Sequence, residues 1–402
     1  MKNRKGSASV FLIFILTAMI TLTAVFIYAA KRAAVISYGD GILNLACRSI
    51  LSEFNLELKD RYGIFAFEKT GEEVEAEIKE YADYALHDNQ EAKVTGIRAG
   101  FGEYSLADPR IIKEQILDHM KFALAEDLLD KWESDKSGQK REDRTLRNRR
   151  IIDSLPSAPL KSSSPGFADR IAEIKDKIGS IDEIFNQSKE TYLLDRYILL
   201  KFKNALEDRV GRATFFENEV EYILEGDYSN KKNKAEVRRG IVLFRSGFNA
   251  AYLYLDEEKR AQTLAAAEVL TPGPQAVLTQ AILIGTWAFA EAENDARLLE
   301  KGKPVVLFKD KASWATDLDS VLSNRDEGCI DTGNRKGFYY QDYLMIFLHF
   351  ESETLKLARM MDLIQINMKG TSSRDFLLKN YNGGFRLKAK ISGREREYDT
   401  RY

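Results

Sequence analysis

Met1 to Arg32, MKNRKGSASVFLIFILTAMITLTAVFIYAAKR, carries no charge between Ser7 and Ala30, and the reading of this stretch decides the architecture of the chain. At about 1.5 Å of helical rise per residue, the 24 uncharged residues reach about 36 Å, enough to cross a hydrocarbon core of roughly 30 Å with some tilt. A cleavable secretory signal is the competing reading, because Lys2, Arg4 and Lys5 form a basic leader. Such signals have an apolar region of only about 7–15 residues and end in a small-x-small site, for which Tyr28-Ala29-Ala30 is a poor match. The residues therefore favour a lasting transmembrane helix over 7–30 behind a cytoplasmic leader over 1–6. Lys31, Arg32 and Arg48 follow the span, so the count of basic residues on the two sides is even. The α-amino group beside the first cluster breaks the tie, giving a single-pass protein of the cell membrane with its N-terminus cytoplasmic and its body extracytoplasmic.

The apolar pattern continues past the membrane. Ala33, Ala34, Ile36, Ile42, Leu43, Leu45, Ala46, Ile50, Leu51 and Phe54 keep helical spacing and predict a stem helix over 31–60. Gly39-Asp40-Gly41 interrupts the stripe, and a bend is expected there. Within the span, Ala18, Ala24, Ala29 and Ala30 are small enough to let neighbouring helices approach closely.

Beyond the anchor about 370 residues remain, more than one typical core supports. The body reads as α+β and predominantly helical. An α+β lobe is expected over 61–152, with a strand at Tyr62–Phe67, a helix over Glu72–Leu86, a strand over Val94–Tyr104, and a helix opened by Asp108-Pro109. A charged, mainly basic run over Ser134–Arg150 reads as solvated helix or loop. The proline- and serine-rich segment 153–166 reads as the connector to a mainly helical lobe over 167–402. In that lobe two helices are expected over Phe167–Arg209, a strand over Phe215–Leu224, and helices over Glu236–Leu255, Asp256–Val269 and Pro274–Leu299. Ala276–Ala290 has no charge but is too short and too diluted by Thr and Gln to span, so a core helix is expected, packed with the helical segment Asp342–Met368. Asn382-Gly383-Gly384 marks a β-hairpin followed by a polar tail.

Chemistry is sparsely signalled. The balance of 60 basic and 62 acidic residues, net charge -2, argues against nucleic acid as a partner. Cys47 and Cys329 are too few for a disulfide framework. His87, His119 and His349 share no metal spacing, and His349 reads as a core histidine. Phosphate loops, dinucleotide fingerprints, nucleophile elbows and EF-hands are absent from the sequence. Glu291, Glu293 and Asp295 read as a solvated helix end beside Arg297 and Lys301, and Trp287, Phe289 and the Met360-Met361 pair read as core. No cofactor, metal or catalytic residue is assigned.

The run Arg4-Lys5-Gly6-Ser7-Ala8-Ser9-Val10-Phe11, followed by one long apolar helix, resembles the N-termini of TadE/TadG-like proteins of the Tad (Flp) pilus. A fuller resemblance is to a family of uncharacterised Tad-associated membrane proteins of Gram-positive bacteria. It is carried by Glu57–Phe65, Arg245-Ser-Gly-Phe-Asn-Ala-Ala-Tyr-Leu253, Thr286–Ala292, Tyr340–Leu344 and Met360–Ile364. The resemblance implies a pilin-like or accessory structural role, with leader processing between Gly6 and Ser7. Pilins usually carry Glu five residues into the mature chain, where this sequence has Phe11. The lipid bilayer and other pilin-like subunits are the partners expected. A membrane-tethered extracytoplasmic hydrolase and a ligand-binding envelope domain are the competing classes, and both demand convergent polar groups in a cleft.

Overall fold

The computed structural model describes residues 5–87, 92–127, 143–163, 170, 189–208, 211–323, 328–333 and 335–402. Lys2 and Arg4, much of the basic run 134–150 and most of 167–209 lie outside the described residues. The fold is α+β and mainly helical, with one long apolar helix at its N-terminal end.

That helix, α1 (Lys5–Ser52), is 48 residues long and continuous. From Ser9 to Ala34 every residue is exposed, and from Ile36 onward the helix is buried along one face at Ile36, Gly39, Ile42, Leu43, Ala46, Cys47 and Ile50. Anchor and stem are thus one rod with two coats. The helix runs unbroken through Gly39-Asp40-Gly41, and packing explains one of the glycines. A Cβ on Gly39 would lie 2.7 Å from Cγ2 of the fully buried Ile391, whereas one on Gly41 would meet nothing within 4 Å. The stem helix ends at Ser52, and α2 (Leu56–Tyr62) follows as a separate short helix.

The chain divides into two compact units, one of residues 1–60, 65–111 and 378–402 and the other of 61–64 and 112–377. The connector expected at 153–166 falls inside the second unit, because the last strands return to the first. In the first unit, β1 (Phe67–Glu68) pairs with β3 (Tyr381–Asn382). β2 (Val94–Gly100) pairs antiparallel with β4 (Gly384–Ile391), and β4 with β5 (Arg394–Arg401), giving the order β2-β4-β5. β4 alternates: Phe385, Leu387, Ala389 and Ile391 point into the core, and Lys388 and Lys390 point out. The expected polar tail is therefore β5. The hairpin turn is not Asn382-Gly-Gly but Ser392-Gly393, whose φ of 47° and 83° are the left-handed pair a two-residue I′ turn requires.

The stem supplies Ile42, Leu43, Ala46, Cys47 and Ile50 to one core with Val74, Ile78 and Ala82 of α3 (Gly71–Ala85) and the inward residues of β4. Thr70 and Glu73 form a capping box that fixes the start of α3. Two polar pins hold the stem: Tyr398 donates to Asp40 at 2.7 Å, with Arg396 3.1 Å from the same carboxylate, and the Tyr402 hydroxyl donates to the Leu51 carbonyl. Burial pushes the Cys47 thiol up to about 11, so it is an unreactive core group. Both cysteines are free.

In the second unit the described helices after α4 (Pro109–Asp127) and α5 (Arg149–Asp153) are α6 (Lys189–Lys201), α7 (Glu219–Glu225), α8 (Asn230–Leu255), α9 (Glu257–Leu270), α10 (Ala276–Glu300), α11 (Leu318–Leu322), α12 (Tyr340–Phe350) and α13 (Glu353–Thr371). The strand expected over Phe215–Leu224 is instead α7, whose residues Glu219 to Leu224 are all buried, so alternation of charge did not mark alternation of exposure. Gly226 at φ 77° ends it in a left-handed cap. α10 packs chiefly on α8 and α9, while α12 packs on α6 and α7, so the two apolar helices expected to pair have different principal neighbours.

Two substitutions separate the roles of the stem glycines. Gly39→Ala should cost about 1–3 kcal/mol through overpacking against Ile391, and Gly41→Ala should gain about 0.5–1 kcal/mol from helix propensity. Denaturation of the full chain in detergent measures both; equal effects at the two sites would contradict a close approach of Ile391 to Gly39 alone.

Candidate functional site

Two places concentrate polar chemistry, and both are in the second unit. The first is built by α8, α10 and the segment after α10. Arg245 and Asp295 are completely buried, and the guanidinium donates from Nε at 3.0 Å to Asp295 Oδ2, with Nη2 2.9 Å from the same oxygen. Its remaining donors reach Leu307 O at 2.7 Å and Asn249 Oδ1 at 3.1 Å. Lys309 lies between the carboxylates, 2.7 Å from Asp295 Oδ1 and 2.6 Å from Glu291 Oε1, and donates to Ser313 O at 3.0 Å. Glu291 also accepts from the backbone amides of Ala315 and Thr316 and from the Thr316 hydroxyl. Two cations face two anions, and the carboxylates are multiply bonded. That balance lets charges persist in an apolar interior, where an uncompensated one would cost several kcal/mol.

Glu291 and Asp295 are therefore not the solvated helix end that charge density suggested. The i, i+4 spacing puts both on the inner side of α10, while Glu293, half-exposed, pairs with Arg238 at 2.7 Å. Trp287 on the same side donates to Thr316 Oγ1 at 3.1 Å, and Trp314 to Thr316 O at 2.9 Å. Lys259 Nζ stands 4.4 Å from the Trp287 ring centroid and 4.8 Å from that of Trp314.

The second place is the polar stripe of α13, in which Lys356 to Met368 are all buried. Lys356 pairs with Asp195. Arg359 caps the end of α7 by donating to Ile223 O at 2.8 Å and Leu224 O at 2.6 Å. Asp362 accepts from Ser157 N at 2.9 Å, from the Ser157 hydroxyl, and from Tyr222 OH at 2.7 Å. Gln365 donates to Ser154 O at 2.9 Å. Asn367 bridges Tyr62 OH at 3.0 Å and Glu219 Oε1 at 2.7 Å. Burial pushes the Asp362 carboxyl up to about 6 and that of Glu219 up to about 7, against the hydrogen bonds that hold both down. His349, nearly buried, has Nδ1 3.7 Å from Asp195 Oδ2, beside the Lys356 pair. Among the described residues no group of three or more His, Cys, Asp and Glu side chains is placed to hold a metal ion.

The anchor is the remaining site. The backbone of Gly6 and Ser7 lies at the start of α1, which Lys5 opens. Ala18, Ala24, Ala29 and Ala30 are all exposed. At 100° per residue Ala18 and Ala29 share one face to within about 20°, and Ala24 and Ala30 lie on other faces. The hydroxyls of Thr17, Thr21 and Thr23 each donate to a carbonyl one turn earlier, at 2.7, 3.0 and 2.9 Å. These polar side chains therefore need no water, the condition for residence in lipid. Among the described residues, one helix is thus long and apolar enough to cross a membrane.

Together these features define a helical body stabilised by internal ion networks and carrying one membrane-type helix. The model of a family of unknown function, DUF5702, matches residues 140–393, and the chain belongs to that family. No curated protein and no solved structure matches the chain significantly. The matched span contains Arg245, Asp295 and Asp362 and leaves out α1.

Two measurements test the networks. Asp295→Ala strands Arg245 and weakens Lys309, and should cost about 3–5 kcal/mol, whereas Glu258→Ala, at an exposed pair with Lys311, should leave the thermal midpoint unchanged. Equal small losses would deny the network its role. The carboxyl of Asp362 titrates near 3.8 in its ordinary state and near 6 when folded. A raised acid favours the folded state fully below its unfolded value, and that contribution disappears as pH rises through the folded one. Wild-type stability relative to Asp362→Asn should therefore fall between pH 4 and 7 by on the order of 3 kcal/mol; a pH-independent difference would contradict the assignment.

Proposed function

We propose that the protein is a non-catalytic, single-pass membrane component of a Tad/Flp-type pilus or a related surface-export apparatus of Gram-positive bacteria, with its N-terminus cytoplasmic and its body outside. The observation that carries the reading is the exposed run Ser9–Ala34, continued without a break into a stem that the first unit grips. At 1.5 Å per residue that run is about 39 Å long, matched to a bilayer with its headgroup margins. The same rod that meets lipid is part of a folded core, so force or position transmitted by a neighbour in the membrane reaches the body directly. Leader processing between Gly6 and Ser7 and contacts through Ala18 and Ala29 belong to this proposal. The TadE/TadG-like N-terminal pattern supports the pilus assignment. The two polar clusters, with their charges paired internally, support a structural rather than a catalytic body.

One experiment in cells with the complete pilus system tests these points together. The full chain should resist carbonate extraction, and protease added to intact wall-stripped cells should digest a tag placed after Tyr402. Leu16→Arg should lower membrane yield, since a mid-span arginine costs about 2.5–3.5 kcal/mol on insertion scales. Cysteines replacing Ala18 or Ala29 should cross-link to this chain or to pilus subunits. A soluble body beginning near Lys31 would end the anchor reading; a protected tag would reverse the topology; monomer alone at both sites would remove the assembly role.

A further inference from the structure

The outward face of α10 is apolar where a helix on a protein surface is ordinarily polar. Val277, Leu278, Ile282 and Phe289 are 67, 69, 61 and 47% exposed. With exposed Ala281, Gly285 and Thr286 they form a single stripe about 18 Å long, while Leu283, Ile284, Trp287 and Ala288 on the other side are buried. No charge occurs from Val269 to Ala290. The threonines and Gln280 of that segment are bonded within the α9–α10 hairpin: Thr271 to Thr279 Oγ1 at 2.6 Å, Gln280 to Arg260 O at 2.9 Å, Thr286 to Ile282 O at 2.9 Å. Gly285 is an independent observation. It sits inside a long helix, where glycine is unfavourable, and it does not have a positive φ. A Cβ there would meet nothing within 4 Å, so no contact in this chain requires the glycine.

We propose that this stripe pairs with the same stripe of a second copy, the two helices running antiparallel about a two-fold axis level with Leu283 and Ile284. That symmetry seats Ile282 of each copy over Gly285 of the other and sets Leu278 against Phe289, large against small at the centre and large against large at the ends. An uncharged face neither repels its own copy nor selects a charged partner. Its area, about 18 Å by 10 Å, is far below the roughly 800 Å² per partner of a stable soluble interface. Pairing this small suits chains already confined to one membrane, where the effective concentration is high; in that respect the proposal rests on the anchoring reading.

The full chain is reconstituted into phosphatidylcholine vesicles carrying Cys329→Ser, which leaves only the buried Cys47. Leu278→Cys mixed with Phe289→Cys should give at least five-fold more disulfide dimer under mild oxidation than either variant alone. Adding Gly285→Leu to both should reduce that yield at least five-fold with the thermal midpoint unchanged or higher, because the space beside Gly285 is open within the chain. The pairing is overturned by monomer in every mixture, by each variant linking to itself, or by dimer yield indifferent to Gly285→Leu. An environment-sensitive fluorophore at Ile282→Cys that reports lipid without any cross-link overturns it in favour of the bilayer. A chain that does not float with vesicles counts against the anchoring reading instead, and the same cysteine pairs at raised concentration in solution then decide the stripe.

Discussion

The apolar stripe of α1 runs on past its fully exposed part and must be covered there, and the cover comes both from α3 and from strands at the far end of the chain. The stem residues Ile42, Leu43, Ala46, Cys47 and Ile50 are sealed by Phe385, Leu387, Ala389 and Ile391 of β4 and by α3. The pins from Tyr398 and Tyr402 fix the rotation of the helix about its own axis, because Asp40 and the Leu51 carbonyl can be reached only from one side. The absence of a side chain at Gly39 then follows from the closeness of the sheet.

The second unit solves a different problem. Its central helix, α13, carries Lys356, Arg359, Asp362 and Gln365 at steps of three, a row that elsewhere would face water. In this fold the row is buried and each member has a partner on another segment, Asp195, the end of α7, Ser157 with Tyr222, and Ser154. Such partners are specific in direction as well as in charge, so they define which segments surround α13 more sharply than apolar contact alone can.

The sequence was most informative where one physical cause acts alone. The long apolar helix at the N-terminal end, the amphipathic spacing of α3, and the α8–α9 and α9–α10 junctions at Asp256 and the Thr271-Pro-Gly-Pro274 turn were each legible. It was least informative where burial of charge depends on remote partners. Glu219 and Glu221 alternate with apolar residues and suggested a strand, yet both are buried in a short helix and bonded to the Lys203–Ala205 backbone. Glu291 and Asp295 suggested a wet helix end because nothing local announces Arg245, some 50 residues away. The polar tail concealed β5, whose charges find partners far away in sequence or on β4, Arg396 with Asp40, Glu395 with Lys390 and Glu397 with Arg386.

The position of β4 between β2 and β5 also sets a timetable. The stem is synthesised more than 300 residues before β4 and β5, the strands that complete its cover. At roughly 5–20 residues per second, translation of that interval takes on the order of 20–70 s. Throughout it α3 alone is available to cover the stem, and the part of the stem face that β4 and β5 will seal stays open while the second unit is being made. A nascent chain in this condition needs its neighbours kept away, or needs one particular neighbour brought near, and the order of synthesis gives any assembly factor a defined interval in which to act.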